Sequence, residues 1–129
     1  MATFASASVA ADFPVLERAG LVYLDSAATS QKPRQVIDAM ADFMRHHNAS
    51  VHRGVYPLAV ESTEAFEGAR TRIAQFVGSS PQDTIFTGNA TAAMNLVIQA
   101  WGRANLQPGD RVVSTELEHH SVIVPLWMF

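Results

Sequence analysis

The sequence predicts an α/β fold. Short apolar runs of strand length alternate with longer segments whose apolar residues recur at helical spacing. One stretch, 84–115, reads strand, helix, turn, strand, which is a βαβ unit. At 129 residues the chain has the size of one domain and can bury a core.

The start, 1–12, is rich in Ala and Ser and reads as a flexible tail. It lacks the basic residues and the solid apolar stretch of a secretion signal. "LVYLD" at 21–25 reads as a short strand that "SAATSQKP" breaks. Pro33 suits the first position of a helix, and Val36, Ile37, Met40, Phe43 and Met44 carry it to about His46. "HHNASVHRGVYPLA" has no period and reads as a long loop, a kind that often carries function.

A second helix is expected over 60–77, with Phe66, Ala69, Ile73, Phe76 and Val77 on one face. Glu61, Glu64 and Glu67 lie towards its start and Arg70 and Arg72 towards its end, as the helix dipole favours, and Gly78 stops it. After the loop "SSPQD", 84–87 reads as a strand and "TGNAT" as a turn. The helix expected over 91–106 is apolar except for a thin stripe of Asn95, Gln99 and Gly102, so it is predicted to be buried nearly all round. "QPGD" is a turn, 111–115 a further strand, and "ELEHHS" a polar loop. "VIVPLWMF" then opens an apolar segment that has no stop signal of its own. The strands of the βαβ unit should be parallel, with a right-handed crossover. That topology sets the "TGNAT" turn and the "ELEHHS" loop side by side beyond the carboxyl ends of the strands, where ligands of such sheets bind.

Net charge is −3 and the nine basic residues are scattered, which argues against nucleic acid or an anionic membrane surface as partner. No apolar run reaches the ~18 residues of a membrane helix. A cytoplasmic location is expected. The chain has no cysteine, hence no disulfide and no thiolate metal site. Its five histidines lack the spacing of zinc ligands, so no metal is expected; His46 and His47 suit the end of a helix.

Three places carry chemistry. In the "GNAT" turn Gly88 permits an unusual φ and Asn89 tolerates one, Ala90 adds no bulk, and Thr91 can cap the helix and offer a hydroxyl. Free N–H groups at such a helix start favour a phosphate or carboxylate, although an ordinary capped turn reads the same way. In the "EHHS" loop, Glu118, His119, His120 and Ser121 alternate sides. One imidazole can then face a cleft, to stack on a flat ring or move protons, unless both are surface histidines. In "VHRG", Arg53 could clamp a carboxylate, or stand as a plain surface arginine.

Taken together and in order, "VYLDSAATSQKP", "VHRG", "FTGNATAAMNLV", "LQPGDRVVST" and "ELEHHSVIVPLW" resemble the start of a SUF-type cysteine desulfurase or selenocysteine lyase. These pyridoxal-phosphate (PLP) enzymes are related to class V aminotransferases. The resemblance runs from Phe13 to Phe129. It implies the N-terminal part of an aspartate aminotransferase-like, PLP-dependent transferase fold, three-layered α/β/α with an incomplete sheet. Residues 13–129 would be an N-terminal extension plus the first part of the large PLP-binding domain. It implies PLP phosphate at the "GNAT" turn, held at Ala90 and by Thr91, with His119 stacked on the pyridine ring and moving protons. Asn95 takes a structural role. Ala27 and Ala28 line the substrate end, and His52 lies near the neighbouring subunit's site in a homodimer. The family commonly reads R-G-T/A-T-E at the turn; here Gly88, Asn89 and Ala92 stand at the arginine, glycine and acidic positions.

The implied reaction takes L-cysteine to L-alanine and a protein-bound persulfide, delivered to a sulfur-acceptor protein for iron–sulfur assembly. It needs a Schiff-base lysine and a cysteine nucleophile. The chain has no cysteine, and its one lysine, Lys32, does not match the Schiff-base position. The expectation is therefore an inactive N-terminal piece of a longer enzyme. The alternatives are a piece of a selenocysteine lyase or class V aminotransferase, and a non-catalytic binding or dimerisation module.

Overall fold

The computed structural model describes residues 9–129. The chain divides into two compact units, one ending at Val77 and the other spanning Gly78–Phe129.

In the first unit, most of the tail expected over 1–12 lies outside the described residues. Its last residue, Asp12, is tied down: its carbonyl accepts from the Arg34 N–H (2.7 Å) and its carboxylate from Gln35 Nε2 (3.1 Å). Arg34 also pairs with Glu17 at 2.7 Å, on the 3-10 turn Pro14–Glu17. The Asp12 carbonyl satisfies the first backbone N–H of α1 (Arg34–Asp42), where Pro33 has no side chain able to cap. The helix continues as a π-helical stretch, Phe43–His47, so the segment expected over 33–46 is helical throughout.

Helix α2 spans Pro57–Val77, three residues earlier than the apolar period indicated. The reason is Pro57, whose fixed φ and missing N–H suit a first helical position. Gly78, at φ +71°, ends it in the left-handed conformation that glycine adopts at least cost. Ala59, Ser62 and Ala74 are fully buried. The π-helical end of α1 packs on α2, and the Ser62 hydroxyl donates to the His47 carbonyl.

In the second unit, Ser80 caps the 3-10 turn Pro81–Asp83, accepting from the Asp83 N–H (3.2 Å) and donating to the Asp83 carboxylate (2.6 Å). Helix α3 begins as Ala90–Leu96, loosens to a π-helical stretch over Val97–Gly102, and closes as Arg103–Asn105. The turn after it is pinned by the Asp110 carboxylate, which accepts from the Gln107 N–H at 2.7 Å, and by Gly109 at φ +102°. The apolar end segment forms α4 (His120–Trp127), which packs on α3.

Two expectations differ from this structure. Among the described residues no strand is formed, so 21–25, 84–87 and 111–115 make no ladder and the parallel pair of the βαβ unit is not assembled. An apolar run of strand length shows a surface suited to a sheet, but a strand exists only when a neighbour takes up its N–H and C=O groups. Side chains such as Leu24 (89% exposed) and Val113 (93%) stay outside any core. Likewise α3 is not buried nearly all round: Ile98 and Gly102 are buried, while Leu96, Val97 and Trp101 are exposed. Among the described residues no helix is long and apolar enough to cross a membrane.

Candidate functional site

The turn before α3 differs from its sequence reading in a way that matters for chemistry. Gly88 has no positive φ, and Asn89 is extended at φ −170°. Asn89, not Thr91, caps the helix: its Oδ1 accepts from the Ala92 N–H at 2.8 Å. Helix α3 starts one residue earlier than expected, at Ala90, and asparagine is among the strongest capping residues. The cap leaves the Thr91 hydroxyl without a hydrogen-bond partner among the described residues. The Thr91 carbonyl accepts from Asn95 Nδ2 at 2.9 Å, which supports the structural role expected for Asn95.

At the start of α4, His119 is itself the cap. Its Nδ1 accepts from the Ser121 N–H (3.1 Å) and from the Ser121 hydroxyl (2.9 Å). A ring nitrogen that accepts carries no proton, so the neutral ring is protonated at Nε2. Because α3 and α4 pack together, Thr91, Asn95, His119, His120 and Ser121 line one open cleft of about 390 Å³. The expected meeting of the two polar loops is therefore made by helix packing. The two imidazoles do not divide between cleft and exterior: both line the cleft, their rings edge-on at 6.2 Å. Each sits at a helix start, where successive side chains no longer alternate sides as they do in an extended strand. The capping role of Asn89 and the contact of Ser121 with His119 went unread in the sequence; for Asn89 the clue was an asparagine immediately before a helical run.

The remaining predicted residues belong to the first unit. Ala27 and Ala28 sit on an exposed turn closed by N–H groups of Ala28 (3.2 Å) and Thr29 (3.0 Å) on the Asp25 carbonyl. The Tyr23 hydroxyl donates to the Asp25 and Thr29 carbonyls and secures it. Arg53 makes no hydrogen bond or ion pair among the described residues. His52 is far more constrained. The loop 48–56 lies along α2, with the His52 N–H donating to Thr63 Oγ1 (3.0 Å) and His52 Nε2 at 2.9 Å from Glu67 Oε1. The Phe66 ring meets the imidazole edge-on at 6.0 Å. The hydrogen-bonded Arg70 guanidinium holds the Glu67 carboxyl below the ordinary carboxylate range; desolvation opposes this and His52 adds to it. A second group joins His46 and His47 to Asp42, and His47 Nδ1 to Glu61 at 3.3 Å.

A family model described as aminotransferase class-V matches residues 22–129. A probable cysteine desulfurase from Synechocystis sp. is 45% identical over 95% of this chain, and one from Halalkalibacterium halodurans 52% identical over 88% of it. The chain spans 30% and 29% of the length of these two curated relatives. The apo structure of cysteine desulfurase from Thermococcus onnurineus NA1 matches with a TM-score of 0.89 at 33% identity, over 99% of this chain and 32% of that one. The chain belongs to the aminotransferase class-V family.

Proposed function

We propose that this chain is the N-terminal segment of a PLP-dependent cysteine desulfurase, a homodimer of the cytoplasm that takes L-cysteine to L-alanine and an enzyme persulfide for iron–sulfur assembly. In the whole enzyme the segments 21–25, 84–87 and 111–115 join the sheet of a three-layer α/β/α, aspartate aminotransferase-like fold. The names of the relatives support the activity. The observation that carries the site is the Thr91 hydroxyl, released by the Asn89 cap into a cleft it shares with His119.

These residues fit PLP. Thr91 would donate its hydroxyl and N–H to the phosphate, and Ala90 its N–H, at a helix start that favours an anion. His119 would lie against the pyridine ring, its Nδ1 occupied by Ser121 and its Nε2–H available. Bound PLP supplies an electron sink for charge developing on the substrate. The Schiff-base lysine and the persulfide-bearing cysteine must come from outside these 129 residues, which contain no cysteine. Ala27, Ala28 and His52 are assigned to the substrate end, and a sulfur-acceptor protein receives the product.

The test uses the full-length polypeptide that carries this chain. It is expected to release alanine from L-cysteine in the presence of a thiol reductant. Thr91→Val should lower affinity for PLP by tenfold or more, the effect of one lost hydrogen bond to a charged group. Absence of alanine, or unchanged PLP affinity in Thr91→Val, overturns the reading. Faster release from selenocysteine than from cysteine would shift it to a selenocysteine lyase.

A further inference from the structure

His52 is the only residue other than glycine with a positive φ among the described residues, at +62°. The left-handed conformation is unfavourable for a side-chain-bearing residue, and glycine there would keep the Thr63 hydrogen bond, which uses only the backbone N–H. The strain therefore belongs to having an imidazole at this position. The pair it makes with Glu67 is about half exposed (54% and 39%), and such pairs contribute little to stability. What the arrangement delivers is a defined ring. Glu67 is a carboxylate and can only accept, so His52 Nε2 is the donor and carries the proton. Glu67 is held in turn: Arg70 Nε lies 3.0 Å from its Oε2 and 3.3 Å from its Oε1. Thr63, Phe66, Glu67 and Arg70 follow at steps of three, one and three residues along α2, so a single helix sets the loop backbone, the ring edge and the carboxylate. Among the described residues, Nδ1 of His52 has no partner.

We propose that Glu67 is a positioning residue for His52, holding its proton on Nε2 so that Nδ1 is the free acceptor offered to the α-ammonium or thiol of an amino-acid substrate. This rests on the reading that places His52 at the substrate end. Strain clusters where a side chain is used, and a carboxylate behind an imidazole is the usual means of fixing its tautomer.

The experiment is nitrogen NMR of the His52 ring in the whole chain, at a pH where the ring is neutral. The ratio of Nε2–H to Nδ1–H forms is expected to exceed that of a free histidine by about tenfold, the bias of one charge-assisted hydrogen bond. Glu67→Leu should return the ratio to the free value, and Glu67→Gln, which keeps size and a neutral acceptor, should fall between. A wild-type ratio equal to that of free histidine, or one unmoved by Glu67→Leu, overturns the proposal. His52→Gly, which relieves the strain and keeps the Thr63 bond, should hold or raise the unfolding midpoint. A clear fall would make the pair a structural latch and overturn it as well. The tautomer is read without substrate, so an inactive full-length enzyme with the expected ring ratio refutes the proposed function, and with it the substrate offered to Nδ1, while the positioning of the His52 ring by Glu67 stands.

Discussion

At Gly54 the loop 48–56 leaves no room for a side chain beside α2, and Gly54→Ala tests that close approach. A Cβ added there would lie 2.6 Å from Ala59 Cβ and 2.7 Å from the Tyr56 ring. Ordinary contact begins near 3.4 Å, so the overlap is close to an ångström on two sides. The Tyr56 ring is half exposed and can swing aside. Ala59 cannot: it is fully buried, and its Cβ is fixed to the helix backbone. Relief must therefore come from lifting the loop, which pulls on the His52–Thr63 and His52–Glu67 contacts, His52 being two residues from Gly54. Overpacking of this kind costs about 1–3 kcal/mol. A loss of about 2 kcal/mol lowers Tm by about 8 °C in a chain of this size. Urea unfolding followed by far-UV circular dichroism should show a lower midpoint with the same slope. In an Ala59→Gly background the same substitution should cost at least about 1 kcal/mol less, a coupling expected only between groups in contact. A Gly54→Ala effect below about 0.5 kcal/mol, or strict additivity with Ala59→Gly, would refute the close approach.

Asn89→Ala should destabilise the second unit by about 1 kcal/mol through loss of the α3 cap, while Asn89→Asp, which retains an acceptor, should lose much less; denaturant unfolding checks both. Glu67 should titrate below the ordinary carboxylate value of 4.5, first because of Arg70. A group whose folded pKa is depressed contributes stability above its unfolded pKa and loses it as pH falls through the folded one, so this contribution fades on the acid side of 4.5. Carbon NMR of the Glu67 carboxyl gives the midpoint, and Arg70→Leu should move it upward.

The helices were legible because apolar spacing at 36, 37, 40, 43 and 44, and again at 66, 69 and 73, admits only one period. Their ends were less so: Pro57 and Asn89 moved two starts towards the N-terminus by one to three residues, through local backbone preferences that a periodicity count does not weigh. The three apolar runs at 21–25, 84–87 and 111–115 could not announce whether a ladder partner would be present, since pairing is a property of the neighbour as much as of the run. Thr91 and His119 could be picked out by residue type and placement, and the packing of α3 on α4 brings them to one cleft. Glu67 was read as a charge suited to a helix dipole. Its partner His52 lies fifteen residues away in sequence, and only the loop's course along α2 makes them neighbours.

The π-helical stretch Val97–Gly102 has a consequence for chain length. A π turn accommodates one residue more than an α turn without breaking the run of helical hydrogen bonds. Excising a single residue there would leave a continuous helix in ordinary register. Because the wider turn takes up the extra residue, the Thr91 end and everything after Gly102 keep their angular relation about the axis, whereas a residue removed from the α-helical part Ala90–Leu96 would turn the far end by about 100°. The stretch thus absorbs a residue of chain length where an α turn would re-aim the turn at Gln107–Asp110, and with it the segment that leads to His119.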